Sequence, residues 1–170
     1  MSTYPPEVQA RLDLERTISQ EMADFSVDVA LSLTQPWATL VAIGSKHFET
    51  RSWQARHRGW IAIHAAKGFP GDCAQLCYRQ PFAACLAAAG YNKPEDLPRG
   101  EVIAIARLTD CISTNRWTPE GSIEYDFGNY GPDRFAWKLE LVRRLKQPFA
   151  VKGALSLWKL PRPITLADLQ

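Results

Sequence analysis

The sequence predicts an α+β fold, a small β-barrel with flanking helices, on three observations. About five apolar or β-branched stretches of strand length recur along the chain, two or three helices interrupt them, and no regular βαβ alternation is present. At 170 residues the chain is a normal size for one domain with its own core. A hydrophobic content of 46% with 22% charged residues is ordinary globular composition and argues against disorder. Residues 1–27 read as an N-terminal helical extension and 28–165 as the barrel domain.

Pro5 and Pro6 suit the start of a helix over residues 5–23, with Glu7 at its positive end. Its apolar positions, Val8, Leu12, Leu14, Ile18 and Met22, make a loose stripe, read as packing on the barrel or as a contact for another subunit. Val27 to Leu33 is a strand. Gln35 to Ile43 reads as a short helix, with Pro36 in its first turn and Gly44 placed to end it in a left-handed cap. His47 to Trp53 follows as a strand whose side chains alternate between two faces. One face carries His47, Glu49, Arg51 and Trp53, the other Phe48 and Thr50, and Lys46 stands at the turn before it.

In Trp60 to His64, Ile61 and Ile63 point to the core and Trp60 and His64 to the other side. Asp72 is placed to cap a helix from about Cys73 to Ala89, which Gly90 ends before a loop over residues 92–98. Gly100 to Leu108 has the Val/Ile/Ala content of a strand buried on both faces or at a barrel seam. Residues 114–126 read as a long polar excursion, and Phe127 to Pro132 as a tight aromatic turn. Phe135, Trp137, Leu139 and Leu141 then alternate with polar residues along a strand. Pro148 is expected to break the chain, and Leu155 to Leu160 to close the sheet. Trp137 and Trp158 are assigned to the core.

Charge and composition exclude several classes. A net charge of +2 is too small for wrapping duplex DNA, though it permits a local basic cleft. No run reaches transmembrane length, and the amino terminus lacks the basic head and apolar stretch of a secretory signal. A cytoplasmic chain without a membrane partner is the expectation. Of the four cysteines, Cys73, Cys77 and Cys85 share one Ala-rich segment, and none has the paired spacing of a zinc site. Reduced thiols, no metal and no other cofactor are expected.

The candidate chemistry lies around Lys46 to Arg51. Lys46 reads either as a solvated turn lysine or as a phosphate contact, base or nucleophile. Glu49 and Arg51 either pair with each other, which adds little stability at a surface, or serve a ligand. Glu49 is then an acceptor for a base's amino proton or an orienter of water. His64 reads as a hydrogen-bonded structural residue or, near Lys67, as part of a cleft. Trp37, Trp53, Trp60 and Tyr130 are candidates to stack on a base, at about 1–3 kcal/mol each. Six tryptophans in a small barrel also serve a core, so one or two of them are left for binding.

The pattern Gly44-x-Lys46-x-x-Glu49-x-Arg51, after Ser32-Leu-Thr-Gln-Pro-Trp37, resembles the signature of the ASCH family, whose domains are similar to PUA-like barrels. Arg58 to Lys67, Gly100 to Ala104, Phe127 to Gly131, Ala136 to Leu139 and Val151 to Gly153 extend the likeness over about residues 28 to 160. The resemblance implies a PUA-like β-barrel with a cleft for RNA or modified nucleosides. Lys46, Arg51 and Lys67 would meet phosphate, Trp53 or Tyr130 would stack, and Glu49 would accept from the base. The partner would be single-stranded RNA or a nucleotide-like small molecule. The alternative is a metal-independent hydrolase using Lys46, Glu49 and His64, either an N4-acetylcytidine-type amidohydrolase or a ribonuclease. The amidohydrolases resembled have Thr three residues after the Lys; here Glu49 stands there and Thr50 is one place off. A protein-interaction module is the third reading.

Overall fold

The computed structural model describes residues 5–170. Residues 1–4, part of the amino terminus read as lacking a secretory signal, lie outside the described residues. The chain forms α1 (Pro6–Asp24), β1 (Val27–Leu33), α2 (Trp37–Ala42), β2 (Phe48–Arg51), β3 (Gly59–Ala65), α3 (Gly71–Leu76), α4 (Phe82–Ala88), β4 (Glu101–Ser113), α5 (Ile123–Asp126), β5 (Phe135–Ala150) and β6 (Leu157–Ile164). Six strands make one mixed sheet in the order β2-β5-β4-β3-β1-β6. Among the described residues only β1 and β3 run parallel, joined by a crossover that carries α2 and β2.

The α+β class stands, but the sheet is open: its outer strands, β2 and β6, do not pair with each other. The physical reason lies in β2, which is four residues long. Its outer side meets side chains and a loop instead of a strand. Glu124 takes the His47 and Phe48 amides, and Thr50 takes the Asn129 amide.

Alternation along the central strands builds two apolar layers. Leu31, Leu33, Ile61, Ile63, Trp137 and Leu139 pack with Ala38 and Val41 of α2 on one face. Ala30, Ala62, Val102, Ile105, Leu145 and Leu160 form the other. A third cluster, Leu40, Cys77, Phe82, Leu86 and Phe127, ties the helices to the loop before β5. Trp137 is fully buried, whereas Trp158 is only half-buried.

Three sequence expectations need correcting. The helix expected from Cys73 to Ala89 is two short helices, because Pro81 lacks the N–H that would carry α3 onward. Pro148 does not break the chain; β5 runs through it to Ala150. Pro148 falls where β5 slips out of register with β4, between the Val102–Phe149 and Ala104–Arg144 pairs, so a missing amide is tolerated there. The excursion over 114–126 ends in α5, which supplies Glu124.

The extension α1 is a 19-residue helix with no buried residue. Its stripe is too loose to cover a face, and Leu14, Ile18 and Met22 are exposed. Phe25, just after it, packs edge-on against Trp60 at 5.5 Å. Among the described residues no helix is long and apolar enough to cross a membrane. Deleting residues 1–24 therefore leaves the core intact and should shift Tm by no more than about 2 °C in calorimetry. A larger loss would mean that α1 contributes to the sheet's stability.

Candidate functional site

The site begins with how α2 ends. Gly44 adopts φ +77°, a conformation costly for residues with a side chain. Its N–H bonds Val41 O at 3.0 Å and that of Ser45 bonds Leu40 O at 2.9 Å, a Schellman-type cap. This turn drives Lys46 inward, where it is 1% exposed. The Lys46 Nζ donates to Phe127 O at 3.0 Å and lies 3.8 Å from Glu124 Oε1. Burial pushes the ammonium below its ordinary value, opposed by the charges of Glu49 and Glu124. Lys46 is thus no solvated turn residue.

Glu124 is the acceptor at which this region converges. Its oxygens take the His47 amide at 2.8 Å, the Phe48 amide at 3.1 Å and the Tyr130 hydroxyl at 3.2 Å. The His47 ring lies at 3.3 Å. Burial and the neighbouring Glu124 carboxylate push the Tyr130 phenol above its usual range. Tyr130 is buried, and its ring stacks on Tyr125 at 5.6 Å. It is therefore part of the scaffold and has no face free for a base.

With β2 held this way, Glu49 and Arg51 point into a cleft of about 690 Å³. Arg51 Nε donates to Glu49 Oε1 at 2.9 Å, and its Nη2 donates to Ser32 O at 2.9 Å. Among the described residues, Arg51 Nη1 finds no acceptor and the second oxygen of Glu49 no donor. Trp37, Phe82 and Phe127 supply apolar wall, and Asn129 and Arg134 lie at the margin. A free acceptor and a free donor thus belong to two residues that line one aromatic-walled space.

The expected strand face is shorter than its alternation suggested. His47 lies before β2 and turns to Glu124, while Trp53 lies beyond it and packs edge-on against Trp137 at 4.5 Å. Neither lines the cleft. Trp37, Lys46, Glu49 and Arg51 do line it; His64 and Lys67 line a neighbouring cavity of about 870 Å³. Trp60 joins the apolar layer on the far face.

Both ring nitrogens of His64 are engaged. Nε2 lies 3.0 Å from Val151 O, and since a carbonyl only accepts, Nε2 carries the proton. Nδ1 then accepts from Ser32 Oγ at 3.0 Å, and that oxygen accepts from Trp158 Nε1 at 3.1 Å. The neutral ring is fully partnered, which leaves it no lone pair for a base's role. Burial accordingly lowers its pKa below the ordinary 6.5. Glu124, Ser32, Asn129 and Arg134 were missed by sequence reasoning. Glu124 lies in a polar stretch without periodicity, and the two amides it holds are 76 and 77 positions away.

Among the described residues no group of three His, Cys, Asp or Glu is arranged to hold a metal. The four cysteines are free thiols.

Because His64 is harder to protonate folded than unfolded, its contribution to stability is complete above about pH 6.5 and is lost as pH falls below that value. The slope from this one group is at most about 1.4 kcal/mol per pH unit. Denaturant unfolding from pH 8 to 5 should show His64→Gln with a shallower acid-side loss than the parent. Parallel curves would mean that His64 titrates alike in both states.

Known proteins resemble this chain over most of its length. The ASCH domain family model matches residues 31–149. The chain is 31% identical over 136 residues to activating signal cointegrator 1 of Homo sapiens, covering 79% of this chain and 22% of that protein. It is 29% identical over 136 residues to the Mus musculus protein of the same name, with the same coverage. The match thus spans about a fifth of those relatives' length. The Gly44–Arg51 segment, which positions Lys46, Glu49 and Arg51, lies inside the matched region, and the chain belongs to the ASCH domain family.

Proposed function

We propose that this ASCH domain binds a nucleotide unit, of single-stranded RNA or of a modified nucleoside, in the cleft over β2. One observation carries the reading: the Glu49–Arg51 pair leaves a carboxylate oxygen and guanidinium N–H groups without a partner among the described residues, and both residues line an aromatic-walled cleft. Cytosine and adenine each present an amino donor next to a ring-nitrogen acceptor, and that edge is complementary to this pair. About 690 Å³ is the size of a small-ligand pocket and accommodates one base with its sugar. Trp37 offers apolar surface for the ring. Extruded or single-stranded bases suit such a site, because duplex pairing hides that edge. The name of the relatives, a cointegrator, fits binding better than turnover.

A second reading has its own observation. Lys46 is buried, held below its ordinary pKa, and flanked by Glu49 and Glu124 at the cleft wall. Burial of this kind suits a lysine to proton transfer or nucleophilic attack, as in a metal-independent hydrolase. Incubation with N4-acetylcytidine and with a short RNA, followed by mass spectrometry, separates the two readings: products lost in Lys46→Met would establish turnover.

For the binding reading, calorimetry with the four nucleoside monophosphates and a short single-stranded RNA is the test. Arg51→Ala and Glu49→Gln should each weaken the best ligand by about tenfold or more, since each removes a charge-assisted hydrogen bond. Circular dichroism first establishes that both variants fold. With two or three phosphate contacts the logarithmic salt slope for RNA should lie near about −2. Folded variants that bind as well as the parent would contradict the site; a protein-interaction module would then be the remaining reading.

A further inference from the structure

The loop between β5 and β6 separates two cavities. The cleft over β2 and the neighbouring cavity of about 870 Å³ share Ser32, Ala66, Ala154 and Leu155 as a common wall. Lys67, Lys152 and His64 line the second cavity, and both lysines are exposed.

The hydrogen bonding of this loop changes abruptly along its length. Val151 is fully used: its N–H bonds Gly100 O at 3.1 Å, and its carbonyl takes His64 Nε2 at 3.0 Å. After it, none of the N–H groups of residues 152–156 donates to a protein acceptor among the described residues. Ser156, at φ +59°, stands opposite Ser32 in the continuation of the β1–β6 register, yet the Ser32 carbonyl takes Arg51 instead. The Ser156 amide is thus left out of the ladder.

The loop is nevertheless held tightly. A Cβ on Gly153 would lie 2.5 Å from His64 Cε1 and 2.7 Å from Ser32 Oγ, so the backbone rests directly on the Trp158–Ser32–His64 chain. Leu155 is 93% exposed, so side-chain burial does not position it. The fully partnered His64 therefore acts as a positioning residue. It braces a run of successive amides whose donors remain free. Successive free amides in a turn make an anion-binding concavity, and bonds from N–H to an anionic oxygen are charge-assisted.

We infer that the Lys152–Ser156 loop, with Lys67 and Lys152, is a phosphate-binding subsite. It takes the phosphate of the nucleotide whose base lies in the adjoining cleft, and so it rests on the nucleotide reading above. The ligand class narrows accordingly, to a nucleotide or an RNA phosphodiester in preference to a free nucleoside. The shared wall at Ala154 and Leu155 places the base-binding cleft on one side and the two lysines on the other.

The test uses the full chain and three probes: the best-binding nucleoside monophosphate, the same nucleoside without phosphate, and inorganic phosphate. In the parent, the phosphate should strengthen binding about tenfold, and the amide resonances of residues 153–156 should move with the monophosphate but not with the nucleoside. Inorganic phosphate should move the same resonances at higher concentration. In Lys67→Ala/Lys152→Ala, which alters only exposed side chains, the nucleoside should bind as before and most of the tenfold difference should vanish. Equal affinity of nucleoside and monophosphate in the parent, or a phosphate increment that survives in the double variant, would overturn the subsite while leaving the cleft reading in place. Failure of every nucleoside and monophosphate to bind the parent would overturn both.

Discussion

The buried Glu124 carboxylate holds this site together. It accepts the amides of His47 and Phe48 and the hydroxyl of Tyr130, and it stands 3.8 Å from the Lys46 ammonium. A carboxylate taken out of water is costly unless donors surround it, and here they do. The same contacts occupy the outer side of β2, where another strand would otherwise pair. This short edge strand is thereby kept open to a cleft instead of being covered. The orientation of Glu49 and Arg51 follows from that of β2.

A second brace stands on the other side of the cleft. Trp158, Ser32 and His64 form a hydrogen-bonded chain that ends on Val151, fixing where β5 hands over to the last loop. Ser32 links the two braces, because its hydroxyl serves His64 while its carbonyl serves Arg51. The cationic residues around the cleft thus have two distinct tasks. Lys46 is buried within the scaffold, whereas Arg51 keeps a nitrogen free toward the cavity. An overall charge of +2 conceals this local division.

What could be read from the sequence was what depends on nearby residues. The left-handed Gly44 cap, the inward drive of Ile61 and Ile63, and the shared face of Glu49 and Arg51 all follow from local periodicity and turn chemistry. The length of that face did not, because the ends of β2 are decided by its pairing with β5 and by Glu124. Whether Lys46 is solvated or engaged could not be read locally, because its partners, on Phe127 and Glu124, are far away in the chain. Tyr130 looked available for stacking although its partners, Tyr125 and Glu124, are near in the chain, because that polar stretch has no periodicity that would place α5 against it. Pro148 was read as a breaker, since nothing local tells where β5 slips out of register with β4. The family signature pointed to the Gly44–Arg51 segment, while the contacts of each residue there depended on partners that only the folded chain supplies.

The central claim is that β2, held by Glu124, presents Glu49 and Arg51 as a paired acceptor and donor to a base edge. A crystal structure of the full chain soaked with cytidine 5′-monophosphate tests it most directly. The account predicts a ligand in the cleft beside Trp37, its amino group within hydrogen-bond distance of Glu49 and its ring acceptors facing Arg51. A nucleotide bound with its base outside this cleft, or with Glu49 and Arg51 still bonded only to each other and to Ser32, would contradict it.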